Sequence, residues 1–383
     1  MKTCLLFLLF VASFFTSVYA DTIVRDFDYD ASRPETMGFE LLPAVETVTV
    51  FQPDSTGCRY NNGLVLYPFK GKLFAQWQSS DWDEDASDTR VLYSVSSDGL
   101  TWSEPMPLPL PPIEGIWTNG GWWADASQLI AFVNAWSIPT GVGKKGTTYF
   151  LCSEDGIHWT EPLPVCDVDG RPVPGVMEQD LRRMPNGELL TTFHVQPGLI
   201  AVPHFTSDST GKSGWIRSQM ASIPMVTQQM SRGIEPSWFV RSDGSLVMVF
   251  RDQRGSHRLL YSISSDSARH WTTPVESDFL DSRAKQSAGN LPNGVAFMVH
   301  NPSGNKTRFP LSITWSRDGI RFDRMMNLRI GGADLPDRRF EGRYKSIGYH
   351  YPKSVIWNDY LYVGYATNKE MIQCTRIPLA FFD

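Results

Sequence analysis

The chain has 383 residues, a formal net charge of −6, and 20% charged against 42% hydrophobic residues. A mildly acidic chain lacks the basic footprint of a nucleic-acid binder, which argues against that partner class. Thirty glycines, 26 prolines and 13% aromatic residues suit short strands joined by tight turns.

The first element is a leader. Lys2 supplies a positive start, residues 5–18 are apolar, and Val18-Tyr19-Ala20 ends the segment on a small residue. This pattern predicts a signal peptide over 1–20 and a secreted or periplasmic protein beginning at Asp21. No later apolar run is long enough to span a bilayer. Cys58, Cys152, Cys166 and Cys374 follow the leader. Export permits disulfides, and Cys152 with Cys166 is the pair closest in sequence. Four cysteines in so long a chain are not a disulfide framework, and at least two are expected as free buried thiols. No Cys/His spacing suggests zinc, so neither metal nor cofactor is expected.

Residues 21–44 show no clean period. Residues 47–51 then read as one strand, rich in β-branched side chains. From there two markers alternate. The first is a hairpin turn: Phe69-Lys70-Gly71-Lys72, Pro185-Asn186-Gly187, Ser242-Asp243-Gly244, Pro292-Asn293-Gly294 and Asn358-Asp359. Each precedes an apolar strand. The second is Ser96-Ser97-Asp98-Gly99-Leu100-Thr101-Trp102, copied at Ser153-Glu154-Asp155-Gly156-Ile157-His158-Trp159 and more loosely around Asp208, Asp266 and Asp318. The aspartate can accept hydrogen bonds from turn amides, and glycine tolerates the positive φ. The aromatic can fold back on the sheet.

A repeat of this length marks a propeller. The unit reads as strand, tight turn, strand, loop, strand, Asp turn, strand. That predicts an all-β propeller of four-stranded antiparallel blades, one domain over 21–383, its ring closed by the N-terminal strand. Hairpins give six blades at 61–105, 119–165, 176–218, 234–275, 285–327 and 345–380, and residues 21–44 could supply a seventh.

Inner strands of a propeller line its channel, and here they are polar. They carry Asn61 and Asn62; Glu178 to Arg183; Glu235 and Arg251; Arg283, Lys285, Gln286 and His300; and Lys345, Tyr349, His350, Tyr351 and Lys353. Arg251, Arg283, Lys285, Lys345 and Lys353 would form a cationic pocket for a carboxylate, since arginine forks bind that group in bidentate fashion. Trp122, Trp123 and Trp238 offer flat faces for sugar rings. The competing reading is an internal ion-pair network with Glu178, Asp180, Glu235, Asp252 and Glu341. Among the histidines, His350 stands out because tyrosines flank it.

The repeat resembles the Asp box, or bacterial neuraminidase repeat, of sialidase-like propellers. Sialidases carry an early Arg-Ile-Pro, an arginine triad and a Tyr/Glu pair. The one Arg-Ile-Pro here is Arg376-Ile377-Pro378 near the C-terminus, which disfavours that activity. Glu235-Pro236-Ser237-Trp238, Phe250-Arg251-Asp252-Gln253, the stretch from Asp281 through Asn290, and Gly348-Tyr349-His350-Tyr351-Pro352-Lys353 resemble propellers acting on uronic-acid glycans. These are the ulvan and gum arabic lyases and the exo-α-L-rhamnosidases of rhamnosyl-α-1,4-glucuronate caps. Those families are seven-bladed, which favours seven over six.

The resemblance implies a monomeric, exo-acting α-L-rhamnosidase-like hydrolase on acidic plant glycans, with a uronate lyase or a non-catalytic glycan binder as alternatives. It places Gln52 where the family has an early catalytic histidine, so activity would be weak or absent. Gln52, Tyr349 and His350 are the expected catalytic positions. Asn61, Asn62, Glu235, Arg251, Arg283, Lys285, Gln286, His300, Tyr351 and Lys353 are the expected substrate-binding ones.

Overall fold

The computed structural model describes residues 22–137, 145–196, 198–224 and 231–383. The leader assigned to residues 1–20 lies outside them. Six sheets form six blades, each an antiparallel meander running from the axis outward. Blade 1 is built from Tyr60–Phe69, Lys72–Ser80, Arg90–Ser96 and Met106–Pro107. The inner strands of the next five begin at Ile116, Gly175, Gly233, Ser287 and Tyr349. In blade 3 the inner position is shared by two short pieces, Gly175–Met177 and Arg182–Arg183.

The outermost strand of blade 6 is Glu46–Phe51, paired antiparallel to Met371–Pro378. Among the described residues there are six blades, not the seven favoured from the resemblance. Residues 22–44 are not a blade. Val24–Arg25 adds a parallel pair to Arg321–Phe322, and Leu42 donates its amide to Asn327. This segment covers the outside of blade 5, and the rings of Phe27, Tyr29 and Phe39 meet edge to face there.

Six apolar clusters sit between successive blades. One of them joins Leu64, Leu66 and Trp77 of blade 1 to Tyr362, Ala366 and Cys374 of blade 6. Trp122, Trp123 and Trp238 belong to these clusters and are at most 8% exposed. They are packing residues, so the sugar-stacking faces expected of them are not available. Truncating such a ring costs about 3–5 kcal/mol. All four described cysteines are free.

The Asp turns are rim scaffolding. Asp98 accepts the amides of Leu100 and Thr101, both at 2.8 Å, and Asp155 and Asp318 repeat the pattern. These amides hold Asp98 down at about 2. The turn glycine has a second duty. A Cβ on Gly156 would stand 2.5 Å from the Phe74 ring of blade 1, and Gly99 and Gly319 meet Tyr362 and Phe239 of their neighbouring blades in the same way.

The inner strands share an irregularity that positions the site. Their ladders slip between Asn62 and Val65, Asn119 and Gly121, Ile234 and Ser237, and His350 and Lys353. A bulge inserts a residue and re-aims side chains. Glycines take the positive φ in blades 1 and 2, whereas Glu235 (φ 51°) and Tyr351 (φ 53°) take it in blades 4 and 6.

Candidate functional site

Those two bulges point their side chains into one pocket. It has a volume of about 480 Å³ and is walled by Trp136, Glu178, His194, Glu235, Arg251, Arg308, Tyr344, Tyr351 and Lys369, with Glu84 and Asp85 on its blade 1 side. A second hollow over Asn62, Asn119 and Gln179 shares Glu84, Glu178, Glu235 and Tyr351 with it, so the two are continuous.

At its centre one guanidinium nitrogen of Arg251 donates to Glu235 Oε2 at 2.7 Å and to the Tyr351 hydroxyl at 3.1 Å. The two oxygens are therefore neighbours. Burial pushes the Tyr351 phenol well above its ordinary value, the Glu235 charge adds to this, and Arg251 opposes it. Burial would raise Glu235 too, but Arg251 and Lys285 outweigh it and hold the carboxyl below its usual range. The pair is thus a neutral phenol beside a carboxylate.

Backbone groups freed by the Glu235 bulge are satisfied by side chains, as buried amides and carbonyls must be. Its amide donates to His194 Nε2 at 3.1 Å, and its carbonyl accepts from Gln286 Nε2 at 3.2 Å. His194 Nε2 is an acceptor there, so the proton sits on Nδ1, 3.0 Å from Glu178. Glu178 also pairs with Lys285 at 2.8 Å. Deeper in the channel Asp180 binds Arg182 at 2.9 Å and lies 3.7 Å from Lys353. Three carboxylate–cation steps descend the axis, from Glu235 and Glu178 in the pocket wall to Asp180 beneath it. Of the carboxylates expected in an ion-pair network, the other two pair elsewhere, Asp252 with Arg232 and Glu341 with Arg338.

Three guanidinium groups gather on one side. Burial, and then repulsion from Arg251 and Arg308, hold Arg283 below the ordinary arginine range. Arg251 Nε, Arg283 Nε and Arg308 Nη1 are buried without a hydrogen-bond partner. Unsatisfied buried donors on cations are costly unless something else binds them. An anion would satisfy them. Across the pocket Glu84 pairs with Lys369 at 2.6 Å.

The structure places the expected residues as follows. Glu235, Arg251 and Tyr351 line the pocket, Asn62 lines its extension, and Arg283 and Lys285 back its wall. Gln286 acts on the backbone. Asn61 is tied to the carbonyls of Cys58 and Glu370 and to Trp77. Lys345 is held by Arg59 O and Glu370 behind the wall. Lys353 faces the opposite end of the channel.

Four further placements differ from the sequence reading. Tyr349 is fully buried, donates to Ile330 O at 2.8 Å and lies under Arg329. His350 is fully buried against Ser346 O, and burial with the charges of Arg308 and Lys369 drives its pKa far down. The bulge turns Tyr351 to the axis while Tyr349 and His350 stay in the blade. His300 is likewise buried, on Leu280 O, its pKa lowered by burial to about 4. Gln52 is exposed just beyond the outermost strand of blade 6 and lines neither hollow.

Glu84, Arg308 and Trp136 were not singled out from the sequence. An acidic run, Asp81-Trp82-Asp83-Glu84-Asp85, marks the first. Among the described residues no group of His, Cys, Asp and Glu side chains is arranged to hold a metal.

Comparison with solved structures matches this geometry to one fold. A protein of unknown function from Dyadobacter fermentans superposes with a TM-score of 0.66 at 14% identity, over 88% of this chain and all of the other. Trypanosoma rangeli sialidase, solved with sialic acid, gives 0.64 at 14% identity over 90% of this chain and 60% of its own. The intramolecular trans-sialidase from Ruminococcus gnavus, solved with oseltamivir carboxylate, gives 0.63 at 13% over 87% and 98%. Identities this low carry the fold alone. No match is found among curated proteins. The model of the BNR repeat-like domain matches residues 71–363, and the chain belongs to that family.

Proposed function

We propose that this protein is a glycoside hydrolase that removes a terminal acidic sugar from a glycan, with Tyr351 as nucleophile. One observation carries the reading: Tyr351 and Glu235 share Arg251 at the floor of a pocket flanked by underbonded guanidinium groups. The sialidases that share the fold, one of them solved with sialic acid, support a sugar carboxylate as the anion.

In this reading Arg251 and Arg308 hold the sugar carboxylate, and Arg283 adds positive charge from behind the wall. The Tyr351 oxygen bonds to the anomeric carbon as its proton passes to Glu235. The glycosidic C–O bond breaks, and the leaving oxygen takes a proton from solvent at the open side of the pocket. Water then attacks the anomeric carbon of the glycosyl-tyrosine and returns a proton to solvent as the carbon–oxygen bond to Tyr351 breaks, and the phenol recovers its own proton from Glu235. A phenol is a poor nucleophile until deprotonated, which is why a neighbouring carboxylate is required.

The rhamnosyl-glucuronate cap is a finer substrate within the same acidic-glycan class, and the comparisons name neither a rhamnosidase nor a lyase. Secretion through the leader of residues 1–20 and a single catalytic domain over 21–383 belong to the proposal. Among the described residues no helix is long and apolar enough to cross a membrane.

The test is incubation with sialyllactose, gum arabic and an unsubstituted neutral oligosaccharide, followed by mass spectrometry. Release of a free acidic monosaccharide, lost in Tyr351→Phe, is the expected result. Free rhamnose would redirect the reading to the cap, and an unsaturated uronate would replace hydrolysis with elimination. Binding without any product would leave a glycan-binding propeller.

A further inference from the structure

The opposite end of the channel holds a second cavity, of about 150 Å³, which the proposed hydrolysis does not use. Val65, Leu66, Val355, Ile356, Leu361 and Phe297 form its apolar side, and Gln179, Asp180, Asn290 and Ser354 bring polar groups to the rest. Lys353 enters it with a side chain 4% exposed. The Lys353 ammonium lies 3.7 Å from Asp180, beyond hydrogen-bond reach, and finds no acceptor. Arg182 also lines the cavity, but it is already bound to Asp180, to the Trp238 carbonyl and to the Trp238 ring.

A buried ammonium with three donors and no acceptor is one of the more costly groups a protein can retain. Gly289 lets Phe297 and Arg182 close against the wall, since a Cβ there would stand 2.9 Å from Phe297 Cζ and 3.1 Å from Arg182 Nη1. Asp180 cancels one of the two local positive charges, which leaves room for a single negative charge. We propose that this lower cavity is a binding site for a small amphipathic carboxylate, its charge on Lys353 and its apolar body against Val355 and Ile356. A dianion is disfavoured by Asp180, and a neutral apolar ligand would leave the ammonium unsatisfied.

Burial lowers Lys353 to about 8, with Lys285 and Arg182 acting the same way and Asp180 and Glu178 opposing. Its charge, and hence the affinity, should fall as pH rises through that value.

The test uses benzoate, with benzamide as its neutral counterpart, in an NMR titration of the whole protein. Benzoate should bind and benzamide should not. Affinity should fall at least tenfold in Lys353→Met and again between about pH 7 and pH 9 in the unaltered protein. Ile356→Trp, which fills the half-buried lower wall, should abolish binding while leaving hydrolysis untouched, and this separates the site from the arginines above. Equal binding of benzamide, undiminished binding by either variant, or no benzoate binding by the folded wild type would each overturn the proposal.

Discussion

Two kinds of irregular backbone recur around this propeller, and three copies of the rim turn contrast with three positions around the pocket. On the rim, Gly99, Gly156 and Gly319 adopt positive φ at no steric cost. On the axis Glu235, Arg283 and Tyr351 do so, although each carries a side chain. Such residues persist only where the surroundings over-determine them, and they cluster at functional sites. Here His194 and Gln286 supply that support by gripping both backbone groups of Glu235. The rim turn repeats because every blade needs it. The axial bulge carries different chemistry in each blade because one pocket needs one of each group.

The sharpest way to break this contrast is Tyr351→Phe. It keeps the ring and removes only the hydroxyl, so kcat on the cleaved glycan should fall by about 10³-fold or more while KM changes little. Unchanged turnover would move the nucleophile elsewhere. Lys285→Met comes next. It removes the ammonium from buried Glu178 and leaves His194 alone against that carboxylate; losing one partner of a buried pair costs about 3–5 kcal/mol, to be read from urea unfolding. A cost under about 1 kcal/mol would show that the Glu178–Lys285 pair contributes no more than an exposed one.

Asp281 tests the same region by pH. Burial pushes its carboxyl up to about 6, with the Ala284 amide opposing. A raised folded pKa means that the stability it contributes is complete below the unfolded value near 4 and is lost as pH rises through about 6. The melting temperature should therefore drop over that window, and Asp281→Asn should flatten the drop.

On the rim, Gly156→Ala forces a Cβ into the Phe74 ring and a non-glycine into positive φ. It should lower stability by about 1–3 kcal/mol and leave KM and kcat as they were. An altered KM would join rim to pocket. The smallest effect is expected of Gln52→His, which sits outside both hollows: neither activity nor melting temperature should move measurably.

The blade register was legible in the sequence because turn chemistry is local. Asp98 and its copies bind amides two and three residues away, so spacing alone reveals them. The polar inner strands were legible for a similar reason, since packing does not call for Glu235, Arg251 and Tyr351 in a buried strand. Within 349–351 the reading went to Tyr349 and His350, because strand alternation puts 349 and 351 on one face and favours neither. The bulge between His350 and Lys353 settles the choice, and a bulge depends on the neighbouring strand. Glu84 and Arg308 escaped because they arrive on loops from blades 1 and 5, and no local pattern says where a loop will end.

By itself, then, the sequence determined that this is a β-propeller with Asp turns on its rim and charge on its axis, both being consequences of short-range periodicity and hydrogen bonding. Only the tertiary structure decided that there are six blades, that residues 22–44 cover blade 5, and that Tyr351, Glu235 and Arg251 meet. Those outcomes rest on contacts between residues up to a hundred or more positions apart, such as Arg251 and Tyr351, whose proximity is set by the packing of whole blades.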